Sequence, residues 1–435
     1  MADEVGKNVV ALDRWEQLRV KQAKDRAVPM KAEKDPLELT RIKNPSGIVA
    51  SLDNAKRAIL RFGIKFRFNL FRQRVEIEGY EEGLGETLDD IELKVRDLIN
   101  EELGFDPEPK HTRDAIRLLA TENAYDPVRE YLDGLKWDGV SRIDTWLTVY
   151  LGAPDDPLTR AIGRAVLIAG VRRVRKPGCK FDLVMILEGP QGTGKSTALK
   201  ILAGGEEYFS DEIIIGEDYR AQQELLKGKW VVELAEMAGL TGSEVRRVKG
   251  FVSKTYDRAR GAYQRNVEEA PRRCIMIGTT NDSQYLKDQT GNRRFAPVPV
   301  GRVDLAGLRA VRDQLWAEAA AAEPEAGDDP ITIPENLWGE AENRAAERVL
   351  ADPWEDLLEQ TLSGVAKEAE GELRISTHAI FDKVLKMEMR QVGMRESRRL
   401  ADCMRKLGWV GPKPLRIDGT PVKGYAREVG TAPKA

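Results

Sequence analysis

The segment Gly189-Pro190-Gln191-Gly192-Thr193-Gly194-Lys195-Ser196 constrains this chain more than any other stretch of it. A glycine, four residues and then Gly-Lys-Ser, placed after the apolar run Phe181 to Leu187, is the pattern of a phosphate loop between a buried strand and a helix. The reason is local. Glycines let the backbone curl until several amide N–H groups face one anion, and the helix that follows adds its positive N-terminal dipole. In such a loop Lys195 reaches the β- and γ-phosphates and the Ser196 hydroxyl holds Mg²⁺. Thr197 opens the amphipathic stretch to Leu202 and completes the nucleotide segment. These residues predict a nucleoside triphosphate site, with ATP and Mg²⁺ as its ligands.

At 435 residues the chain exceeds one compact core and calls for two to four domains. Charged residues make up 32% of it, yet the net charge is only −3, so any surface for nucleic acid must be local. Cys179, Cys274 and Cys403 lie far apart, and His111 and His378 are the two histidines, which argues against a zinc site or a disulfide framework. No apolar run approaches the ~18 residues that span a bilayer. The opening MADEVGKNVV does not read as a signal peptide. A soluble protein of a reducing cytoplasm, with no membrane partner, is expected.

Composition divides the chain further. Residues 1–45 are charged and poor in aromatics, as a mobile or loosely docked arm would be. Residues 46–120 read as a small α+β domain, with helices over Ala50–Phe62, Leu88–Leu103 and Thr112–Thr121 and a strand or hairpin over Lys65–Glu78. A helical bridging region, 121–160, precedes the nucleotide domain, 161–320. An acidic linker, 321–340, leads to a separate small domain, 341–435. The decapeptide Val171 to Lys180 holds five bases and no acid, and suits either a phosphate-contacting edge or a solvated helix end.

A phosphate loop needs a carboxylate strand to complete its metal site. Trp230-Val231-Val232-Glu233-Leu234-Ala235-Glu236 supplies one about forty residues after Lys195. An acid ending an apolar strand is costly to bury unless a cation compensates it, and Mg²⁺ is the natural compensator. Glu233 is assigned to the metal and Glu236 to the attacking water, although either acid suits either task. In an extended chain the two would stand roughly 10 Å apart on opposite faces, so the strand must end or bend between them. Cys274 to Asn281 is a second apolar strand, and Asn281 at its tip suits a sensor of the γ-phosphate. Gly291-Asn292-Arg293-Arg294-Phe295 then precedes a returning strand, Phe295 to Val300. Either Arg293 or Arg294 suits an arginine finger, which is often supplied in trans, while the other forms a structural ion pair. A finger in trans requires an oligomer with sites between subunits.

Two basic regions suit DNA, although the first also suits a solvated helix and loop and the second a winged helix that docks protein. Between the carboxylate strand and the Asn281 strand lie Arg246, Arg247, Lys249, Lys254, Arg258, Arg260, Tyr263 and Arg265, bases with an interleaved aromatic. In the last domain, Leu400, Cys403, Met404 and Leu407 form one apolar helical stripe with Arg398 and Arg405 opposite. Gly408 stops that helix, and Leu415-Arg416-Ile417 and Val422-Lys423-Gly424-Tyr425 flank an Asp418-Gly419 turn as a hairpin. Helix then hairpin is the order of a winged helix. Lys383 to Arg427 holds 12 bases and four acids, a local charge of +8, which favours a DNA-facing module.

Taken together, Asp126 to Leu132, Leu135 to Gly139, Pro177 to Asp182, Leu187 to Thr197, Glu233 to Glu236, Gly278 to Asn281 and Gly291 to Phe295 resemble the virulence-associated protein E family, phage and mobile-island ATPases related to superfamily 3 helicases. The resemblance spans residues 120–300 and weakens over 1–110 and 340–435. It implies an α/β phosphate-loop ATPase core of the AAA+-like, superfamily 3 type; the α+β domain before it and the winged-helix-like domain after it rest on the residue patterns above. It also implies hexameric rings that translocate 3′-to-5′ on single-stranded or forked DNA during element replication. Two features depart from the family. The acids are spaced Glu-x-x-Glu rather than side by side, and no segment reads as a primase, so any primase would be a separate polypeptide. A rival reading is an ATP-switched replication initiator or loader that binds duplex DNA through residues 383–427 without unwinding it. A small-molecule kinase explains neither the basic last domain nor Asn281 with its arginine pair.

Overall fold

Among its described residues, the computed structural model begins with a helix, a hairpin and two further helices. Helix α1 (Leu52–Arg61) precedes strands β1 (Phe66–Asn69) and β2 (Arg74–Ile77), and α2 (Leu88–Leu103) and α3 (Pro109–Glu122) follow. The structure describes residues 37–40, 47–78, 87–212, 219–235, 237, 242–259, 268–286, 294–327, 329–350, 352–369 and 371–429. Local chemistry sets the helix ends. The Ser51 hydroxyl accepts the Asn54 N–H at 3.3 Å, Thr87 and Asp90 form a reciprocal capping box, and Gly104 at φ 68° closes α2. Ala55, Ile59, Phe66, Val95, Ile99, Ile116 and Leu119 make a core of their own.

Helices α4 (Pro127–Gly134), α5 (Trp146–Leu151) and α6 (Pro157–Arg175) come next, followed by the alternation that builds the main sheet: β3 (Val184–Glu188), α7 (Lys195–Ala203), β4 (Phe209–Ser210), α8 (Tyr219–Leu226), β5 (Val231–Leu234) and α9 (Gly242–Val252). A hairpin, β6 (Tyr256–Ala259) and β7 (Glu268–Pro271), precedes β8 (Ile275–Thr280), β9 (Phe295–Pro299), α10 (Leu305–Ala322) and α11 (Trp338–Ala346). Five of these strands lie in the order β4-β5-β8-β3-β9, every pairing parallel. Buried on both faces, β3 and β8 need apolar side chains at successive positions, which is why both read as continuous hydrophobic runs. This is an α/β core.

The central helix α6 packs closely because two of its positions are glycine. A Cβ on Gly170 would meet the Trp316 ring at 2.8 Å, and one on Gly163 would meet Trp146 Nε1 at 2.7 Å. Trp316 stacks on Trp230 with ring centroids 4.1 Å apart, and the two indole N–H groups donate to the carbonyls of Leu202 and Gly170. Val128, Leu132, Trp146, Leu147 and Leu151 enter this same core, so the region read as a bridge between domains is part of the sheet's packing. The segment read as an acidic linker is anchored as well, with Glu323 and Ile333 buried.

Three of the five bases in Val171–Lys180 answer to neither sequence reading, whereas Lys176 and Lys180 are exposed. Arg172 is 3% exposed and pairs with Glu323, and Arg173 is 2% exposed and donates to the carbonyls of Phe181 and Cys274. Arg175 donates to the Ala320 carbonyl and pairs with Asp133. Arg172 and Arg173 are used inside the fold, and Arg175 is partly buried at its margin.

The chain divides into two compact units between Arg348 and Val349. The second contains α12 (Pro353–Val365), β10 (Lys367–Ala369), β11 (Glu372–Ser376), α13 (Thr377–Ala379) running into a π-turn at Ile380–Val384, α14 (Met394–Lys406), β12 (Val410–Ile417) and β13 (Thr420–Glu428). Its antiparallel sheet has the order β10-β11-β13-β12. Leu400, Cys403, Met404 and Leu407 are all buried, with Leu358, Phe381, Trp409 and Tyr425. Among the described residues no helix is long and apolar enough to cross a membrane.

Candidate nucleotide site

The phosphate loop leaves β3 at the carboxyl edge of the sheet, where open α/β sheets bind ligands. Its conformation requires glycine: Gly192 and Gly194 have φ of 80° and 92°, and Gly194 caps α7 in the left-handed region. The Gly189 N–H donates to the Thr280 carbonyl at 3.2 Å, tying the loop's first residue to the end of β8. Lys195, the first residue of α7, folds back into the loop. Its Nζ donates to the carbonyls of Gly189 (2.5 Å) and Pro190 (2.9 Å) and to Asn281 Oδ1 (3.2 Å). The backbone oxygen of Pro190 also accepts the Thr193 hydroxyl at 3.0 Å. Burial pulls the Lys195 ammonium below the usual lysine range, and nearby Glu233 pulls it back up. Gln191, Gly192, Ser196 and Thr197 are exposed at the mouth of the loop.

Glu233 is 2% exposed. Its Oε1 accepts hydroxyl protons from Ser196 (2.8 Å) and Thr279 (2.5 Å), while its Oε2 has no hydrogen-bond partner among the described residues. A buried carboxylate oxygen without a donor, beside a loop hydroxyl, fits a hard divalent cation such as Mg²⁺. Strand β5 ends one residue later, at Leu234, and the Met237 N–H returns to the Thr279 carbonyl at 3.2 Å. Glu236 lies outside the described residues.

Lys195, Ser196, Glu233 and Asn281 therefore meet at one edge of the sheet. Arg294 does not join them. It immediately precedes β9, whose first residue, Phe295, pairs with Val184, so it sits at the amino edge, roughly 20 Å of strand from Gly189. There its Nε lies 3.7 Å from Asp182. Arg293 falls outside the described residues.

The residues expected at DNA separate into several groups. Lys249 is 7% exposed, so this ammonium is not presented to solvent as the charge pattern suggested. Lys254 is half-buried and its ammonium is pulled down by burial. Arg258 is exposed on β6 and pairs with Glu269 across the hairpin at 2.5 Å. Arg260, Tyr263 and Arg265 belong to the connection outside the described residues. In the second unit Arg398, Arg405 and Lys423 are all exposed.

Residues 132–348 match the virulence-associated protein E-like domain. Over these residues the chain belongs to that family. The match ends at Arg348, where the first compact unit ends. The chain is also similar to the apo structure of the NrS-1 C-terminal region, at 14% identity and a TM-score of 0.51, over 91% of this chain and 99% of that one. That likeness concerns the fold. The chain is aligned too with the structure described as SCCmec type IV Cch, active helicase, at 12% identity over 82% of this chain and 90% of that one, with a TM-score of 0.33. No curated protein matches the sequence.

Sequence reading missed three groups of this virulence-associated protein E-like domain. Thr279, in the Gly278 to Asn281 stretch, anchors Glu233. Glu188, the last residue of β3, is 8% exposed; it accepts the Tyr285 hydroxyl at 2.8 Å and two guanidinium nitrogens of Arg348. An acid abutting a phosphate loop is a visible oddity. Its arginine, 160 residues away, is marked by nothing in the sequence.

Proposed function

We propose that the chain is an ATP-driven DNA helicase of phage or mobile-element replication. The observation that carries this reading is the meeting of Lys195, Ser196, Glu233 and Asn281 at the carboxyl edge of one parallel sheet. Loop N–H groups and Lys195 bind the phosphates of ATP. Ser196 and Glu233 hold Mg²⁺, which when bound offsets negative charge on the phosphoryl oxygens. Glu236 takes the proton of the attacking water, and the Asn281 amide orients that water or the γ-phosphate. Arg294 lies far along the sheet from its own loop, which supports a finger from Arg293 or Arg294 acting on a neighbouring subunit. That arrangement calls for a homo-oligomer, read here as an AAA+-like hexameric ring.

In this reading Lys254, Arg258, Arg260, Tyr263 and Arg265, around the β6–β7 hairpin, contact one DNA strand. Lys249 would join them only after a rearrangement. The second unit is read as winged-helix-like, meeting DNA through Arg398, Arg405 and Lys423. A primase would come from another polypeptide, and the work would be done in the host cytoplasm. The basic face of α14 equally favours an ATP-switched initiator or loader that grips duplex DNA.

Strand displacement on a forked duplex separates the two. Wild-type displacement that needs ATP and is lost in Lys195→Ala supports the helicase. Hydrolysis without displacement moves the assignment to the initiator.

A further inference from the structure

Arg348 closes a circuit around the candidate site. Its Nε lies 3.0 and 3.3 Å from the two oxygens of Glu188, and its Nη2 lies 3.0 Å from Oε2. Glu188 is joined directly to Gly189, the first residue of the phosphate loop. The same arginine uses its main chain on a different segment. Its carbonyl accepts the N–H groups of Tyr285 (3.0 Å) and Leu286 (2.9 Å), four and five residues after Asn281. The Tyr285 hydroxyl returns to Glu188 at 2.8 Å. Gly189 to Thr280 and Lys195 to Asn281 complete the loop of bonds. Burial and the Glu188 charge push the Tyr285 hydroxyl well above the usual tyrosine range, so it stays a donor.

We infer that Arg348 is a positioning residue for nucleotide hydrolysis: acting through Glu188 and Tyr285, it holds the root of the phosphate loop in register with the segment that carries Asn281. This rests on the ATPase reading given above. A bidentate guanidinium–carboxylate pair fixes orientation as well as charge, and a lysine fixes only charge. Small misplacement of a group that acts on the reacting phosphoryl costs rate more than binding.

The competing account is charge compensation alone. Breaking a buried ion pair from one side is costly, whereas removing both charges is often neutral. Full-length wild type, Arg348→Met, Glu188→Gln, the double variant and Arg348→Lys are compared by thermal midpoint, by titration with a fluorescent ATP analogue and by kcat. Arg348→Met is expected to lower both midpoint and kcat. In the double variant the midpoint recovers while kcat stays about tenfold below wild type, with analogue affinity within about threefold. Arg348→Lys, which keeps the charge and loses the fork, shows the same split even if Arg348→Met does not fold. Recovery of kcat together with the midpoint, or full kcat in Arg348→Lys, overturns the inference alone. Absence of hydrolysis in wild type, or hydrolysis that Lys195→Ala leaves intact, overturns the ATPase reading and this inference with it.

Discussion

Two stretches of this chain look alike as sequence and differ in the folded protein. Residues 171–180 and 395–406 are both dense in arginine and lysine. In the first, Arg172 and Arg173 are drawn inside and used on Glu323 and on main-chain carbonyls, and the half-buried Arg175 pairs with Asp133. In the second, Arg398 and Arg405 stay in water on the outer face of α14. What separates them is the rest of the helix surface. Most of α6 is buried, so its basic end has to find partners within the fold. Helix α14 buries only the Leu400, Cys403 and Met404 stripe and leaves the opposite face to solvent. Even there the division is residue by residue. Arg399 pairs with Asp352 and lies 4.0 Å from the Trp354 ring centre, and Lys406 pairs with Glu355.

That contrast can be broken from its strong end. Arg272 and Asp257 form a doubly hydrogen-bonded pair with side chains 1% and 5% exposed. Arg272→Ala should cost about 3–5 kcal/mol in denaturant unfolding, because it takes a bidentate guanidinium away from a buried carboxylate; a loss near zero would show that buried arginines here are not committed to the fold. Next in size is the metal. Wild type should gain about 2–3 kcal/mol of stability from saturating nucleotide with Mg²⁺ over nucleotide with a chelator, and Glu233→Gln should lose that difference. An undiminished Mg²⁺ effect in the variant would remove Glu233 from the metal site.

On the exposed face the effect moves from stability to binding. Arg398→Ala with Arg405→Ala should leave the thermal midpoint unchanged and lower the salt slope of DNA binding by about 2. An unchanged slope would place DNA elsewhere. The smallest effect concerns Asp352. Burial raises its carboxyl, but hydrogen bonds from Arg399 and the Trp354 N–H, with the charges of Arg399 and Lys406, outweigh that and hold it below the usual range. A depressed carboxylate stabilises above its unfolded pKa and loses that contribution as pH falls through the folded value. Discounted for its exposure, the pair is worth about 1 kcal/mol or less. Arg399→Met should therefore flatten the acid side of the second unit's unfolding profile below about pH 4; an unaltered acid limb would mean the pair contributes nothing.

The strand, loop and helix around Lys195 were legible because each leaves a local mark: an apolar run, glycines at fixed spacing and an amphipathic helix. Glu233 and Asn281 were legible for a similar reason, as polar residues ending apolar strands. Long-range pairing leaves no such mark. Arg172 finds Glu323 151 residues away, and Arg348 finds Glu188 at a distance of 160. Lys249 lies between these cases. Val245, Val248 and Val252 are buried at helical spacing, and Lys249 falls on the same stripe. Its burial was readable from periodicity, but its charge drew the reading toward DNA.

The central claim is that the groups gathered at the carboxyl edge of the sheet hydrolyse ATP. Steady-state hydrolysis by full-length wild type and by Lys195→Ala of matched thermal midpoint tests it most directly, with and without single-stranded DNA. The account predicts DNA-stimulated turnover in wild type and a fall of about 10²-fold or more in the variant. Equal rates in a folded variant would contradict it.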